Sequence, residues 1–321
     1  MLSPEAILQA VPEALDKLEV PGDMPHGKVR DFYVTADGKQ RVLITTDRLS
    51  VFDHAVGLVP YKGQILNALS AWWFKRTADL VPNHFVAMPD PNVMIGRETR
   101  PILLAVIVRG YITGVTPTSL WPRYEAGERE IYGLKFPAGL KKNDALPQPV
   151  VTPTTKSTVG RDDRQVVTDV VSQKYLSMEA WQQVQAAALA LYERGQEIAV
   201  RAGLILVDSK YEFGFDLQTR TLMLIDEVHT PDSSRYWKAD TYAHRMATGR
   251  EPENLDKELA RLWYGTQRYR GQNPLPPMSD DLIVSISQAY QQVYERITGE
   301  TFQPASYPAQ DRIEAVLAEF V

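Results

Sequence analysis

Asp208, Lys210, Glu212 and Asp226 are the side chains of this chain whose types and spacing best suit chemistry, and they fall within one run from Leu204 to Arg235. Polar Lys210, Glu212, Gly214 and Asp216 alternate there with Tyr211, Phe213 and Phe215. A period of two is a strand signal. It places the three aromatic rings on one face and Asp208, Lys210 and Glu212 on the other. Thr221 to Ile225 reads as a second strand, and a hairpin centred on Thr219 sets Glu212 opposite Asp226 and Lys210 opposite Val228. Directly opposed strand residues have Cβ atoms about 5 Å apart, close enough for two carboxylates to destabilise the pairing. The arrangement therefore calls for a cation between them. Mg²⁺ is such a cation, taking one or two carboxylates when phosphate oxygens and water complete its shell. The alternative is a solvated hairpin with a Lys–Asp surface pair. A register slip of one residue would turn every side chain to the other face.

The remaining elements must hold this hairpin and supply its partners. Ser3-Pro4-Glu5 starts a helix with Ile7, Leu8, Val11, Leu15 and Leu18 at helical spacing, which Pro12 kinks or splits before Pro21-Gly22 ends it. Gly27, Lys28, Val29 and Arg30 then sit at the mouth of a hairpin that turns at Asp37-Gly38. Backbone N–H groups and two cations there suit nucleotide phosphates, or else form a solvated basic strand end. Asp47, Arg48, Ser50 and Asp53 make a dense polar loop, and loops on rigid scaffolds often carry function. The following helix carries Trp72, Trp73 and Phe74, read as core. Pro101 to Val108 is a buried strand that ends in Arg109, whose charge needs a structural carboxylate or a substrate phosphate.

Val115 to Thr155, rich in Pro and Gly, reads as long loops with short strands and suggests a substrate-binding segment. It runs into Lys156 and Ser157, with Arg161-Asp162-Asp163-Arg164 beyond. Ser177 and Gly203 bracket a helix whose stripe of Trp181, Val184, Ala188, Leu191 and Ile198 is core. Ala239 to about Gln272 reads as largely helical, Asn273 to Pro277 as a linker, Ser279 to Thr298 as a capped helix, and the tail from Pro308 as one more.

Composition bounds the function. With 321 residues, 44% hydrophobic and 23% charged, the chain is long enough for two lobes with cores. The absence of cysteine excludes disulfides, thiolate catalysis and Cys-ligated metals, and with no basic-then-apolar leader it predicts a cytoplasmic protein. No apolar run reaches the roughly 20 residues that span a bilayer. A net charge of −5 argues against a nucleic-acid surface, so an anionic substrate must be held by local basic groups.

Six segments, in order, carry a resemblance: GKVRDFY (27–33), TTDRLSVFD (45–53), VRGYITG (108–114), TPTTK (152–156), VDSKYEFGFD (207–216) and DEVHTPDSSRYW (226–237). Together they resemble the phosphoribosylaminoimidazole-succinocarboxamide synthase, or SAICAR synthetase, family of purine biosynthesis. The resemblance implies an α+β, two-lobed fold with an ATP-grasp-like or kinase-like nucleotide cleft between the lobes. It implies residues 1–109 as a β-rich nucleotide lobe and residues 110–321 as an α+β lobe carrying the metal and substrate sites. The activity implied joins 5-amino-1-(5-phosphoribosyl)imidazole-4-carboxylate (CAIR) to L-aspartate with ATP hydrolysis. By similarity, Gly27 to Arg30 cover ATP phosphates, Glu212 and Asp226 hold Mg²⁺, and Lys210 stands near the CAIR carboxylate. Arg109 and Arg235 fall at the CAIR phosphate with Asp232 and Ser234 beside them, while Lys156, Asp53 and Asp208 lie in family motifs at the substrate. One departure concerns the serine that often follows the glycine of VRGYITG: here Ser119 realigns after a four-residue insertion, or a threonine replaces it. The competing classes are a small-molecule kinase and a non-catalytic nucleotide-binding module. The oligomeric state is left open.

Overall fold

Two antiparallel sheets organise the chain in a computed structural model that describes residues 1–19, 25–156, 166–272 and 274–318. Pro21-Gly22, Ser157, Arg161-Asp162-Asp163-Arg164 and Asn273 lie outside the described residues. Helix α1 (Pro4–Gln9) starts where Ser3 Oγ accepts from Ala6 N at 3.2 Å, and Pro12 diverts the chain into a 3₁₀ turn at Val11–Glu13. Strands β1 (Arg30–Val34) and β2 (Gln40–Thr45) pair around Gly38, which takes a φ of 69°. A two-residue turn at Phe52-Asp53 joins β3 (Arg48–Val51) to β4 (His54–Leu58). Helix α2 (Lys62–Arg76) buries Trp73 and Phe74. Strands β5 (Phe85–Asp90) and β6 (Val93–Arg97) complete the first sheet, in the order β1-β2-β6-β5.

The second sheet begins with β7 (Thr99–Tyr111). Beyond it lie α3 (Leu120–Glu125), the short pair β8 (Glu130–Ile131) and β9 (Leu134–Lys135), and then β10 (Ala145–Thr155). The loops and short strands expected here are joined by a long one that was not: β10 pairs with β7 from Val150 to Thr155. Its prolines misled the reading because a sheet edge tolerates residues with no N–H to donate. Pro147 and Pro149 sit where the register breaks between Ala145 and Val150.

Helices α4 (Val167–Ser172) and α5 (Met178–Arg201) precede β11 (Leu204–Asp216), the central strand of the sheet. It bonds β7 on one side and, on the other, β12 (Leu222–Ile225) and β13 (Ser234–Lys238). Trp181, Val184, Ala188 and Leu191 of α5 are buried in the main core, while Ile198 is only partly covered. The stretch expected to be largely helical after β13 divides into α6 (Ala239–Ala247) and α7 (Glu258–Thr266), broken at Gly249, which takes a φ of 68°. Helix α8 (Asp280–Thr298) is capped by Ser279.

The last helix, α9 (Gln310–Leu317), returns to the first sheet, where Ile313 and Leu317 pack with Val42, Ile44, Val93 and Ile95. The chain changes sheet between Arg97 and Thr99, so residue 109 lies inside β7, and the C-terminal helix belongs with the first lobe rather than the second. No helix among the described residues is long and apolar enough to cross a membrane. The fold is α+β and two-lobed.

Candidate active site

The hairpin register differs by one residue from the expectation. Glu212 pairs with Ile225, and Phe213 with Leu224, because the turn is one residue tighter than a centre on Thr219 requires. By strand geometry alone this slip would send Asp226 to the wrong face. It does not, because β12 has already ended: Asp226 stands just beyond it with a φ of 69°, a left-handed conformation that Asp tolerates better than most residues. The carboxylates converge on a lysine instead of facing each other across the ladder. Lys210 Nζ lies 2.7 Å from Glu212 Oε1 and 3.7 Å from Asp226 Oδ2. Lys156, arriving from the end of β10, bonds the other Glu212 oxygen.

From the first sheet Arg30 reaches across to the same group, with Nη1 2.5 Å from Asp226 Oδ1 and Nη2 2.7 Å from Glu227 Oε2. Glu227 is a member that reading the sequence missed, although it sits inside DEVHTPDSSRYW. The protonation states follow from this packing. Burial works against charge on Asp226, but Arg30, Lys210 and Lys156 overcome it and hold the carboxyl well below its usual range. Burial likewise opposes charge on Lys210 and Arg30, and the neighbouring carboxylates raise both above their ordinary values.

Two carboxylates around one ammonium are a donor set that Mg²⁺ can use. Their oxygens are hard, and no group of three or more His, Cys, Asp or Glu side chains that could cage a metal is found among the described residues. An ion that keeps phosphate and water ligands needs no such cage.

Gly27 to Arg30 fold back on themselves above this cluster. Gly27 N donates to Arg30 O at 2.7 Å, and a Cβ on Gly27 would stand 2.6 Å from that oxygen, so only glycine fits. Arg48 fastens the turn, donating to Lys28 O at 3.2 Å, Gly27 O at 3.1 Å and Asp31 Oδ1 at 2.6 Å. Thr46 Oγ1 donates to Val29 O at 2.9 Å. Lys28 Nζ pairs with Asp53 Oδ1 at 2.6 Å, which brings Asp53 to the glycine turn.

Those arginines form a second cluster around Asp208. Arg235 Nη1 bonds Asp208 Oδ2, and Arg109 Nη1 lies 3.5 Å from the same oxygen. Arg109 also donates to Thr152 Oγ1 at 2.8 Å and Thr118 O at 3.0 Å. Arg235 Nε and Nη2 reach Glu258 Oε2 at 3.3 and 3.2 Å, and Arg261 Nη1 reaches it at 2.8 Å. Ser119 belongs here: a Cβ on Gly114 would meet Ser119 Oγ at 2.2 Å and Arg235 Nη2 at 3.2 Å, so the serine does fold back beside the glycine. Ser234 turns its hydroxyl toward Ser209 Oγ at 2.8 Å.

Asp232 is drawn elsewhere. Its Oδ2 lies 3.1 Å from Lys62 Nζ and 2.9 Å from Lys257 Nζ, and its Oδ1 accepts from Tyr290 OH at 2.6 Å. Burial draws the Lys257 ammonium down to about 8 against the pull of Asp232. Burial and the Glu258 charge push Asp256 up to about 7. Lys62 carried no signal as a lone charge before an apolar run, nor did Asp256, Lys257, Glu258 and Arg261 within a stretch read as helical and polar.

Clusters of paired charges beside a tight glycine turn, set between two lobes, suit an enzyme that handles anionic substrates. The sequence comparisons narrow it. This chain belongs to the SAICAR synthetase family, whose model matches residues 23–277. It is 47% identical over 309 residues to phosphoribosylaminoimidazole-succinocarboxamide synthase of Legionella pneumophila (strain Lens), covering 94% of this chain and 97% of the relative. It is 43% identical over 291 residues to the chloroplastic Arabidopsis thaliana protein of that name, covering 89% of this chain and 70% of the relative. Among solved structures, SAICAR-synthase from Saccharomyces cerevisiae complexed with SAICAR superposes with a TM-score of 0.77 at 30% identity, covering 91% of this chain and 100% of that one. A type-2 SAICAR synthetase in complex with ADP shares the fold, with a TM-score of 0.68 at 23% identity, covering 88% of this chain and 100% of that one.

Proposed function

We infer that the cleft performs the reaction of its family. The chain is an ATP-dependent carbon–nitrogen ligase that joins CAIR to L-aspartate and gives SAICAR, ADP and phosphate. The observation that carries the site assignment is the convergence of Glu212, Asp226, Lys210, Lys156 and Arg30 where the two lobes meet.

A carboxylate is a poor electrophile, so the CAIR carboxylate must be phosphorylated before an amine can displace its oxygen. A carboxylate oxygen attacks the γ-phosphorus, ADP departs, and a mixed anhydride forms. The aspartate amine then adds to the acyl carbon and expels phosphate together with that oxygen. Two anions must meet in the first step, and the cations of the cluster offset their repulsion. In this reading Lys210 contacts the CAIR carboxylate, and the turn from Gly27 to Arg30, closed by its own Gly27 N–H to Arg30 O bond, covers the phosphates with the Lys28 and Arg30 charges. Glu212 and Asp226 would hold Mg²⁺, which supplies charge neutralisation at the transferring phosphoryl group. Arg109 and Arg235, with Ser119, hold the CAIR phosphate against Asp208. Asp208 serves as counter-ion to both arginines.

Isotope transfer tests the route. With ¹⁸O in both carboxylate oxygens of CAIR, the released phosphate should carry one labelled oxygen per SAICAR formed. A kinase acting on a hydroxyl, or hydrolysis of ATP by water, leaves phosphate unlabelled. Unlabelled phosphate alongside normal product would exclude the acyl phosphate.

A further inference from the structure

We propose that His84 is a positioning residue for the phosphoryl-transfer step: its imidazole holds the left-handed backbone of Asp226 and thereby aims that carboxylate at Lys210 and Arg30. The inference rests on the ligase reading and adds to it a residue that acts through another.

His84 lies just ahead of β5, in a segment that joins the two sheets. Pro82-Asn83-His84 runs parallel to β12, with Asn83 paired to Leu224. Leu224 N donates to Pro82 O at 2.8 Å, and His84 N donates to Leu224 O at 3.0 Å. On its other side His84 O accepts from Arg97 N at 2.7 Å, at the end of β6. One residue thus carries a backbone bond to each sheet, close before Asp226. Asn83 fixes the segment, its Nδ2 donating to Phe74 O at 2.9 Å and its Oδ1 accepting from Phe85 N at 3.2 Å.

The ring occupies a slot that the first sheet leaves for it. Val93 and Ile95 of β6 pack under α9, so Met94 and Gly96 face the cleft side. A Cβ on Gly96 would stand 2.8 Å from His84 Nδ1 and 3.2 Å from its Cγ, so the glycine makes room for the imidazole. Phe74 meets the ring edge-on, with centroids 5.2 Å apart. Only 3% of His84 is exposed.

Packing alone does not account for an imidazole there. Its Nε2 is buried with no hydrogen-bond partner among the described residues, a cost that a leucine in the same slot would avoid. Burial keeps the ring uncharged, drawing it down to about 4, and the pull the other way comes from Asp226, through its carboxylate and its backbone. His84 therefore brings a dipole to Asp226 rather than a further cation. With Nε2 unpartnered, Nδ1 is the nitrogen left for that contact. Asp226 needs support of this kind: it follows the last residue of β12 with a φ of 69°, which side chains other than glycine seldom adopt, and that same backbone turns its carboxylate to Lys210.

The test uses the full-length enzyme, follows ADP release with each substrate varied, and compares His84→Leu, His84→Asn and Gly96→Ala with and without Asp226→Asn. His84→Leu should lower kcat about tenfold with the CAIR and aspartate KM values within about twofold, as expected for a lost hydrogen bond and a misplaced carboxylate. Asparagine offers an amide near the Nδ1 position, so His84→Asn should lose only about threefold. Gly96→Ala presses on the ring and leaves His84 in place; it should lower kcat about threefold, and it serves where His84→Leu does not fold. In the Asp226→Asn background each change should alter kcat by less than about twofold, because a residue that acts through Asp226 has no carboxylate left to aim. Apart from turnover, Mn²⁺ bound together with ADP, followed by electron paramagnetic resonance, should weaken about tenfold in His84→Leu. An unchanged kcat in folded His84→Leu, or in Gly96→Ala where that variant does not fold, overturns the positioning role and leaves the ligase reading standing. So does His84→Asn no better than His84→Leu, or a loss that multiplies with that of Asp226→Asn. A wild-type enzyme that forms no aspartate-dependent product overturns both.

Discussion

Glu212 and Asp226 do not face each other across a ladder; each leans on the Lys210 ammonium, and that difference sets what their substitution should do. Glu212→Gln or Asp226→Asn keeps the shape and removes one charge from the group. Turnover should fall by roughly a hundredfold or more, because the electrostatic preorganisation of the phosphoryl-transfer step is lost. Circular dichroism should show the fold retained, and wild-type activity at limiting Mg²⁺ in either variant would sink the assignment. Arg235 needs a subtler change. Arg235→Ala would leave the buried Asp208 carboxylate with only the longer Arg109 contact, a destabilisation that confounds a binding measurement. Arg235→Lys keeps the charge but loses the planar fork that suits phosphate. The expected result is a CAIR KM raised about tenfold with the ATP KM nearly unchanged. A rise in the ATP KM instead would reassign the residue.

At the scale of elements, the glycine turn is shaped from behind by Arg48, whose guanidinium takes carbonyls from Gly27 and Lys28. A lysine there has no fork to hold both. Arg48→Lys should raise the ATP KM about three- to tenfold, the worth of one hydrogen bond, while the CAIR KM holds. The start of α7 carries a pH dependence of its own. Asp256 accepts from Tyr236 N at 2.9 Å and Glu258 N at 2.6 Å, and burial raises its carboxyl to about 7. Between its unfolded value near 4 and that raised value the native chain binds the extra proton, so this group favours the fold below about pH 4 and its contribution fades as pH rises toward 7. Asp256→Asn removes the titration. Its melting temperature relative to wild type should therefore climb from pH 5 to pH 8, and parallel melting curves across that range would refute the role.

At the scale of the whole molecule, the lobes are tied by ion pairs in the cleft, while the C-terminal helix completes the first lobe alone. Arg30 of the first sheet grips Asp226 and Glu227, which follow β12 of the second. Helix α9 seals the opposite face of the first sheet, with Ile313 fully buried. Ile313→Ala should destabilise the protein by about 2–5 kcal/mol in urea unfolding, the usual cost of such a cavity. Specific activity per folded molecule should remain within about twofold, since the helix covers the Val42–Ile44 face of the first sheet while Leu43 on the other face meets the main core. A collapse of activity with stability intact would mean that α9 shapes the cleft directly.

What could be read from sequence were features with short-range causes. Ser3, Ser177 and Ser279 mark helix starts because a side-chain oxygen meets backbone N–H groups three residues on. The alternation in β11 and the glycine at position 27 are equally local. So are the six ordered motifs, which placed Lys210, Glu212, Asp226, Arg109 and Arg235 in one reading. Tertiary structure decided what depends on distance in the chain. It set the hairpin one residue away from the expected register and then restored Asp226 to the site through a left-handed backbone. It made β10 an edge strand despite its prolines, and it returned α9 to the first sheet. It also gathered Lys62, Asp232 and Lys257 around one oxygen, across 195 positions from Lys62 to Lys257. No local pattern encodes such a meeting, because each of those lysines gains its meaning only from a carboxylate that another part of the fold delivers.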